Sequence, residues 1–374
     1  MKNKAPLAGV RIVEFAGLGP GPLAATLLAE LGATVVRIER KPAPSQSEDQ
    51  LRHDTERRSR PGISLDLKTP AGRDLALEFI SRADALIEGF RPGVMERLQL
   101  GPAECLGRNP RLVYGRMTGW GQTGPRAHTA GHDLNYISLT GALAAIGRNG
   151  QPSTPPLNLV GDYGGGALYL VMGILAALLE ARQAGIGQTI DVAMVDGAAS
   201  LMMKFYGLRA AGRENGPHGT NLLDSGAHFY DVYRCADDGW MAVAAIEPQF
   251  YKELLARLGL DDAEAKLQWN REQWPLMKLK FARIFATQTR RHWEGVFHGS
   301  DCCVTPVLTV EEAAHDEHLL ARKTIVTIQG VSQPAPAPRF SRTPLDPPVP
   351  PQPIDCRLNE VLADWGIPSQ STLR

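Results

Sequence analysis

Residues 9–40 read GVRIVEFAGLGPGPLAATLLAELGATVVRIER, and this pattern predicts the fold class. The apolar run 9–15 is typical of a buried strand, the glycines and prolines at 17–22 predict a turn, and residues 23–31 predict a helix that ends at Gly32. Residues 33–38 predict a second strand. Strand, glycine-rich turn, helix and strand form a βαβ unit, so we expect an α/β protein with a parallel sheet.

The glycine-rich turn is similar to a dinucleotide-binding fingerprint, but it departs from that fingerprint at its last position. Pro22 stands where a third glycine is needed for close helix–strand packing, although Glu39 lies where a ribose-binding acid is expected. Arg37 and Arg40 flank this acid and suit a phosphate better than a ribose diol. The sequence therefore disfavours a nicotinamide or flavin cofactor.

Composition limits the class of protein. The chain of 374 residues is long enough for two domains. Its 40 basic residues balance 40 acidic ones, which indicates neither a nucleic-acid partner nor an anionic membrane. The 5 cysteines lack CxxC spacing, so we expect no disulfide framework and no zinc site. We find no signal-peptide pattern or peroxisomal tripeptide, and the apolar run 167–181 is too short to span a bilayer. These features predict a cytoplasmic protein.

Basic residues follow three predicted strands. The strands 33–38, 63–67 and 85–88 are followed by Arg40, Lys68 and Arg91. In open α/β sheets, ligands bind at the carboxyl ends of the strands, so these cations favour an anionic, phosphorylated ligand. The alternative is that they are scattered surface residues, which explains each one singly but explains their recurring position less well.

Several further elements complete the first half of the chain. Residues 41–60 are polar and predict a loop, in which the run Arg57-Arg58-Ser59-Arg60 is expected to be a solvated face. Thr69 and Pro70 predict a helix that begins there and ends near Ser81. Residues 94–99 predict a short helix, and residues 112–118 predict another strand.

Two groups capable of proton transfer lie in residues 131–166. His132 and Asp162 each follow a glycine, and the second leads into a strongly helical segment. His titrates near neutral pH, and Asp does so when burial raises its pKa. Asp162 at a helix start could instead be only an N-cap. We also expect amides at this helix start, including that of Asp162, to hold an oxyanion.

The rest of the chain predicts a second domain and a returning tail. Residues 194–206 predict a helix whose methionines form core, with a soft surface for an acyl chain as the alternative. Asp237-Asp238-Gly239 predicts a hairpin turn, and residues 334–353 are proline-rich and predict an extended segment. The i, i+3 spacing of His315 and His318 lacks a metal-binding pattern, so no metal is expected. The predicted boundaries are a large domain at 1–210, a linker at 211–228, a small α+β domain at 229–325 and a tail at 326–374.

Several motifs resemble those of family III CoA-transferases of the CaiB/BaiF type. They are residues 9–40, LDLK at 65–68, IEGFRPG at 87–93 and YGRMTGWGQTGP at 114–125. Within that family, three motifs are similar to those of the α-methylacyl-CoA racemases. These are GHDLNYISLTGALAAIG at 131–147, PLNLVGDYGGGALYL at 156–170 and AIEPQFY at 245–251. The resemblance continues through PAPRFSRTP at 336–344, so it covers nearly the whole chain.

The resemblance implies a Rossmann-like large domain, a smaller α+β domain and an interlocked homodimer whose active site lies between the large domain of one subunit and the small domain of the other. It implies epimerisation of 2-methylacyl-CoA by His132 and Asp162 through an enolate, with Glu247 supporting His132. No metal or cofactor is implied, because CoA enters as part of the substrate. The implied CoA contacts are Arg40, Leu65, Asp66, Leu67, Lys68, Gly89, Phe90, Arg91, Arg97, Gly131, His132, Asp133, Leu134, Asn135 and Tyr136.

Two other functions fit the same motifs. In a family III CoA-transferase the matching aspartate, Asp162, would be a nucleophile that forms an acyl-enzyme anhydride, and such an enzyme does not need a histidine opposite it. A CoA-binding protein without activity is the second alternative. His132 is therefore the residue that discriminates between racemase and transferase.

Overall fold

The computed structural model describes residues 5–42 and 46–368. Residues 1–4 of the predicted large domain, 43–45 of the predicted loop and 369–374 of the predicted tail lie outside the described residues. The chain divides into two compact units. The first runs to Thr140 and also includes Leu157–Leu201 and the residues from Glu317 onward, and the second contains Gly141–Pro156 and Met202–Asp316.

Strands and helices alternate through most of the described residues. The strands, in chain order, are β1 (Arg11–Phe15), β2 (Thr34–Arg40), β3 (Gly62–Leu65), β4 (Ala85–Glu88), β5 (Val113–Thr118), β6 (Thr189–Ala193), β7 (Tyr230–Arg234), β8 (Trp240–Ala244), β9 (Val304–Pro306), β10 (Ile325–Ile328) and β11 (Val331–Pro334). The α-helices are α1 (Pro20–Glu30), α2 (Glu48–His53), α3 (Pro70–Ile80), α4 (Val94–Arg97), α5 (Pro102–Arg108), α6 (Asp133–Leu139), α7 (Ala142–Ala145), α8 (Leu168–Ala184), α9 (Met194–Leu201), α10 (Met203–Ala210), α11 (Pro248–Arg257), α12 (Asp262–Ala265), α13 (Trp274–Phe285), α14 (Arg290–Phe297), α15 (Val310–Ala313), α16 (Glu317–Ala321) and α17 (Leu358–Asp364). Thr55–Arg57 and Arg271–Gln273 are 3₁₀-helical, and Leu159–Ala167 is π-helical.

The first unit contains a parallel sheet with the strand order β3-β2-β1-β4-β5-β6. Val13 on β1 is paired with Val36 on β2 and with Leu86 on β4. This is the order of a doubly wound α/β fold, in which the direction of winding changes between β1 and β4. The α/β class and parallel sheet predicted from residues 9–40 are confirmed.

Both faces of this sheet are buried, because successive side chains of a strand point to opposite sides. Val13 packs in a cluster with residues of α3, α5 and α17, whereas its neighbour Ile12 packs with residues of α1 and α8. Trp365, just after α17, lies edge-on to Phe79 of α3 with ring centroids 5.2 Å apart. The helix near the C-terminus therefore completes the core on one face of the sheet.

The second unit is built on the antiparallel sheet β7-β8-β9. Its β7–β8 hairpin turns where Asp237-Asp238-Gly239 predicted, with Asp238 in the left-handed region at φ 62°. Aromatic side chains of β7, α11, α13 and α14 fill its core, and Tyr233 stacks on Phe285 with ring centroids 5.2 Å apart. This unit is a small α+β structure.

The proline-rich segment follows a hairpin, β10–β11, that the sequence did not predict. Between β11 and α17 the chain is irregular and is hydrogen-bonded to earlier residues of the first unit. The Ser59 N–H donates to the Val349 carbonyl at 2.8 Å, and the Ser64 N–H donates to the Asp355 carboxylate at 2.7 Å. These bonds hold the segment beside β3.

The prediction that residues 41–60 form only a loop is wrong. Helix α2 lies within them, and a capping box starts it: the Gln50 N–H donates to Ser47 Oγ at 3.2 Å, and the Ser47 N–H donates to Gln50 Oε1 at 2.9 Å. A serine followed three residues later by a glutamine is the sequence signature of this motif. The polar composition of the segment concealed it.

The expected solvated face at residues 57–60 is also wrong, because Arg57, Arg58 and Arg60 are buried. The Arg58 Nε donates to Glu30 at 2.5 Å, and the Arg60 Nε donates to Glu14 at 2.5 Å. Buried cations persist only where carboxylates neutralise them. Here the carboxylates come from β1 and α1, which are distant in sequence.

The apolar helix of the first unit is longer than predicted. The π-helical segment continues into α8, and the resulting helix Leu159–Ala184 has 26 residues and is long and apolar enough to cross a membrane by length and composition alone. The prediction that this run is too short is therefore wrong. Half of its most apolar part is buried, and Leu170 and Ile174 pack in the core of the sheet, as a core helix does.

The methionine-rich helix predicted at 194–206 is interrupted at Met202, between α9 and α10. Met194 is buried, as predicted for core, whereas the Met203 side chain is exposed. The core interpretation therefore holds for Met194 and fails for Met203.

Candidate active site

A cavity of about 480 Å³ lies in the first unit at the carboxyl ends of β1, β4 and β5. Its walls include Leu18 to Pro20 after β1, Gly89 to Pro92 after β4, and Met117 to Trp120 at the end of β5. The cavity thus lies where the strand order reverses, which is the usual ligand site of doubly wound sheets. His132 and Asp162, which are 30 residues apart in sequence, both line it.

His132 lies at the start of α6. Its backbone N–H donates to Asn135 Oδ1 at 3.1 Å, and its side chain is exposed. The preceding Gly131 is needed for packing, since a Cβ there would lie 2.8 Å from the Tyr136 ring and 2.9 Å from the Trp120 ring. The Tyr136 hydroxyl donates to the Gly131 carbonyl and fixes this turn. The backbone therefore presents the imidazole to the cavity.

Asp162 lies in the first turn of the π-helical segment and is half-buried. Asn158 occupies the N-cap position, so the alternative that Asp162 is itself an N-cap is wrong. The Asn158 Nδ2 donates to Asp162 Oδ2 at 3.4 Å. π-Helical turns are rare and are frequently found at functional sites.

The amides next to Asp162 are already hydrogen-bonded. The N–H groups of Gly161 and Asp162 each donate to Asp133 Oδ2 at 2.7 Å. The expectation that the Asp162 amide is free to hold an oxyanion is therefore wrong. Gly161 makes this contact possible, because a Cβ at that position would lie 2.7 Å from the same carboxylate oxygen.

The environment of Asp162 favours its protonated form. Burial raises the pKa of Asp162, and the negative charges of Asp133 and Glu56 act in the same direction. The hydrogen bond from Asn158 and the charge of His132 oppose this shift, but the pKa remains above its ordinary value. A carboxyl group of this kind can donate a proton at a higher pH than an ordinary aspartate.

The turn after β4 is held by two residues that were not predicted as site residues. Glu88 accepts hydrogen bonds from the Phe90 N–H at 2.8 Å and from the Arg116 Nε at 3.0 Å. Burial raises the pKa of Glu88 to about 7, against the opposing effects of these two donors. Glu88 and Arg116 are paired in register on β4 and β5. The sequence signal that could have identified them is a charged residue near the end of each of two adjacent buried strands.

The predicted CoA contacts fall into two groups. Six of them line the cavity: Gly89, Phe90, Arg91, Gly131, His132 and Tyr136. The others lie outside its walls: Arg40 ends β2, Leu65 ends β3, Asp66, Leu67 and Lys68 lead into α3, Arg97 ends α4, and Asp133, Leu134 and Asn135 are in α6.

The structure places several other predicted residues away from the cavity or gives their side chains other contacts. The Leu65 side chain is in the core, and the Asp133 carboxylate binds backbone amides as described above. Glu247 is at the start of α11 in the second unit. His315 follows α15 and His318 lies on α16, and the described residues contain no group of three or more His, Cys, Asp or Glu side chains that could hold a metal.

Comparison with known proteins identifies the family. The model of CoA-transferase family III matches residues 7–354. The chain belongs to CoA-transferase family III. This family III chain is 45% identical over 370 residues to alpha-methylacyl-CoA racemase of Mus musculus, with 98% of this chain and 95% of the relative covered. It is 44% identical over 363 residues to alpha-methylacyl-CoA racemase of Homo sapiens, with 96% and 93% covered. The family predicted from the sequence motifs is confirmed.

Other family III proteins are more distant. Acetyl-CoA:oxalate CoA-transferase of Acetobacter aceti is 30% identical over 351 residues, with 89% of this chain and 88% of that protein covered. The crystal structure of a CAIB/BAIF family protein from Brucella suis is similar with a TM-score of 0.80 at 22% identity, with 97% of this chain and 100% of that chain covered. At this identity the structural likeness shows the fold alone. That fold agrees with the one predicted from the sequence motifs.

Proposed function

We propose that this protein is an α-methylacyl-CoA racemase, which inverts the α-carbon of 2-methylacyl-CoA thioesters. The observation that carries the proposal is the presence of His132 and Asp162 on the walls of one cavity at the switch point of the sheet. The 45% identity to a racemase over nearly the whole chain supports it. We also propose that the reaction needs no cofactor, since proton transfer at the α-carbon requires only an acid and a base. A cytoplasmic location is proposed as well.

The proposed chemistry is a 1,1-proton transfer. Neutral His132 removes the α-proton of one epimer, the α-carbon becomes planar in the enolate, and protonated Asp162 delivers a proton to the opposite face. In the reverse reaction the two residues exchange roles. The raised pKa of Asp162 supports its role as donor, because a larger fraction of this carboxyl than of an ordinary aspartate is protonated at a given pH.

The CoA moiety is proposed to lie along the carboxyl edge of the sheet. Arg91 lines the cavity, Arg40 ends the neighbouring strand β2, and Lys68 follows β3 at the same edge. Exposed cations at this edge suit the phosphates of CoA.

The alternative is a CoA-transferase in which Asp162 is the nucleophile. The observation that favours this alternative is the 30% identity to acetyl-CoA:oxalate CoA-transferase. That role does not explain why His132 lines the same cavity as Asp162.

Incubation of one 2-methylacyl-CoA epimer in deuterated water tests the proposal. We expect epimerisation with deuterium uptake at the α-carbon and without any acceptor acid, measured by mass spectrometry and chiral chromatography. Turnover that depends strictly on an acceptor acid and gives no deuterium uptake would identify a transferase. Tight binding of unchanged acyl-CoA would identify a binding protein without activity.

We further propose that the protein is an interlocked homodimer, with Glu247 of the second subunit supporting His132. Leu168, Met172 and Leu179 are spaced to lie on one face of α8, and all three are more than half exposed. Three large apolar side chains on one exposed helix face favour a covering partner, and a second copy of the chain is the partner that the family suggests.

The substitution Met172→Glu is expected to weaken this dimer, because it places a charge in the apolar face. Light scattering should give twice the 40.6 kDa chain mass for the wild type and a lower mass for the variant. Val310→Glu, which replaces an exposed apolar side chain of the second unit, is the control and should leave the mass unchanged. A wild-type mass of one chain at all concentrations would refute the dimer.

A further inference from the structure

Arg116 on β5 is held between two carboxylates and is therefore not free to bind an anionic ligand. Its Nε donates to Glu88 Oε1 at 3.0 Å, and its Nη1 and Nη2 donate to the two oxygens of Glu96 at 2.8 and 3.3 Å. Glu88 ends β4 and is fully buried, whereas Glu96 is on α4 and is partly exposed. The Arg116 guanidinium thus joins β4, β5 and α4.

The same network holds the turn between β4 and α4, whose residues 89–92 line the cavity. At the start of the turn, the Phe90 N–H donates to the other Glu88 oxygen, Oε2, at 2.8 Å. At its end, the Val94 N–H donates to the Arg91 carbonyl at 3.1 Å, where α4 begins. The backbone is therefore fixed on both sides of Arg91, by Glu88 on one side and by the helix that carries Glu96 on the other.

Arg91 differs from Arg116 in that no carboxylate neutralises it. In the described part of the chain, ion pairs engage Arg116 on two sides and none engages Arg91. The Arg91 side chain is exposed and lines the cavity, and its charge acts on the phenol of Tyr136, which also lines the cavity. An anchored cation loses less freedom when it binds an anion, so a fixed turn should raise the affinity of Arg91 for a phosphate.

We propose, on the basis of the racemase function above, that Glu88, Arg116 and Glu96 are positioning residues that preorganise the turn 89–92 so that Arg91 binds the CoA moiety of the substrate. They do not act on the reacting carbon, because His132 and Asp162 are carried by other segments, the start of α6 and the π-helical segment. Loss of the network should therefore weaken substrate binding and leave the turnover of bound substrate unchanged.

Glu88 can accept from both of its donors only as a carboxylate. Its two oxygens face different N–H groups, one in the backbone of the turn and one on Arg116. Glutamine has the same shape but only one acceptor oxygen, and its NH₂ group would face one of these two donors. Glu88→Gln should therefore release either the Phe90 amide or Arg116, and either release loosens the turn.

The test is the steady-state kinetics of epimerisation by the full-length Glu88→Gln variant. Burial raises the pKa of Glu88 to about 7, so the measurement is made near pH 8, where the wild-type carboxylate is largely ionised. We expect the KM for 2-methylacyl-CoA to rise roughly ten-fold, the effect of about one hydrogen bond to a charged group, with kcat within about two-fold of the wild type. Isothermal titration calorimetry with CoA itself should show the same fold-change in Kd.

Glu96→Ala tests the same network from its exposed side, where a substitution does not disturb a buried group. The KM should rise by roughly two- to five-fold, the range of a partly exposed ion pair. The matched control is Glu30→Gln, which alters a buried carboxylate that accepts from Arg58 at 2.5 Å and does not line the cavity. It should lower stability without changing KM or kcat. An equal rise of KM in this control would show that general loss of stability, and not the turn, weakens binding.

Arg91→Ala decides whether the network acts through Arg91. In that background, Glu88→Gln should change KM by less than about two-fold, since the group that it positions is absent. Retention of the full effect in the double variant would overturn the proposal. An unchanged KM in Glu88→Gln would also overturn it, and if that variant does not fold, an unchanged KM in Glu96→Ala has the same consequence.

Calorimetry distinguishes failure of this proposal from failure of the racemase function. A wild type that binds CoA more tightly than Glu88→Gln does, but gives neither epimerisation nor deuterium exchange, would refute the racemase function and leave the positioning role intact. A wild type that epimerises its substrate, beside a Glu88→Gln variant with unchanged KM and Kd, would refute the positioning role alone.

Discussion

His132→Ala and Asp162→Ala should each lower the epimerisation rate by about 10²–10⁴-fold, the usual contribution of a positioned acid or base. Both groups line the same cavity, and inversion requires one to remove a proton while the other delivers one. Measured rates of epimerisation at saturating 2-methylacyl-CoA would show the loss. His298→Ala, which removes an exposed histidine of the second unit, is the control and should retain wild-type activity.

Deuterium exchange makes this first prediction more specific. In each variant the remaining residue can still remove a proton from one face of the α-carbon and return a deuteron to the same face. His132→Ala should therefore exchange only one epimer, and Asp162→Ala only the other. If both variants exchanged the same epimer, or if both kept wild-type rates, the two-base assignment would be incorrect.

Glu14→Ala should destabilise the first unit by about 3–5 kcal/mol, because removal of one partner from a buried ion pair leaves uncompensated charge. Glu14 is fully buried and accepts from the Arg37 Nη1 at 2.6 Å and from the Arg60 Nε at 2.5 Å. Its loss would leave both guanidinium groups buried with fewer carboxylates around them. The measurement is the urea midpoint of unfolding, followed by circular dichroism.

An exposed ion pair provides the control for this second prediction. The Arg357 Nε lies 2.6 Å from a Glu360 oxygen, but both side chains are well exposed. Such pairs contribute about 0–1 kcal/mol, so Glu360→Ala should barely move the midpoint. Equal effects of Glu14→Ala and Glu360→Ala would show that the buried network does not stabilise the fold.

The sequence predicted much of the fold because the signals that specify it are local. Residues 9–40 contain a complete βαβ pattern, Thr69-Pro70 starts α3 with the Thr69 hydroxyl accepting from the Gly72 N–H at 3.2 Å, and the 85–88 strand has the predicted bounds. Capping, turn chemistry and hydrophobic periodicity each act within a few residues. Motif resemblance identified the family on the same local evidence, and comparison with known proteins confirmed it.

Such local signals could not predict ion pairs and hydrogen bonds between residues that are distant in sequence. Arg58 and Arg60 looked like part of a solvated run, yet they are buried because α1 and β1 bring Glu30 and Glu14 to them. The Asp162 amide looked free to hold an oxyanion, yet Asp133 accepts from it. In both cases the deciding partner is about 28 residues or more away in sequence, and only the folded chain brings it into contact.

By itself, the sequence determined the α/β class, the family, and the two residues proposed to transfer protons, because chemistry-bearing residue types stand in recognisable local patterns. Only the tertiary structure decided which hydrogen-bond donors and acceptors are already paired. It gives Asp162 a half-buried position, a donor from Asn158 and a negative neighbour in Asp133. The pKa of a carboxyl group depends on burial and on charges within a few ångströms, and those are properties of the fold and not of the neighbouring residues in the chain.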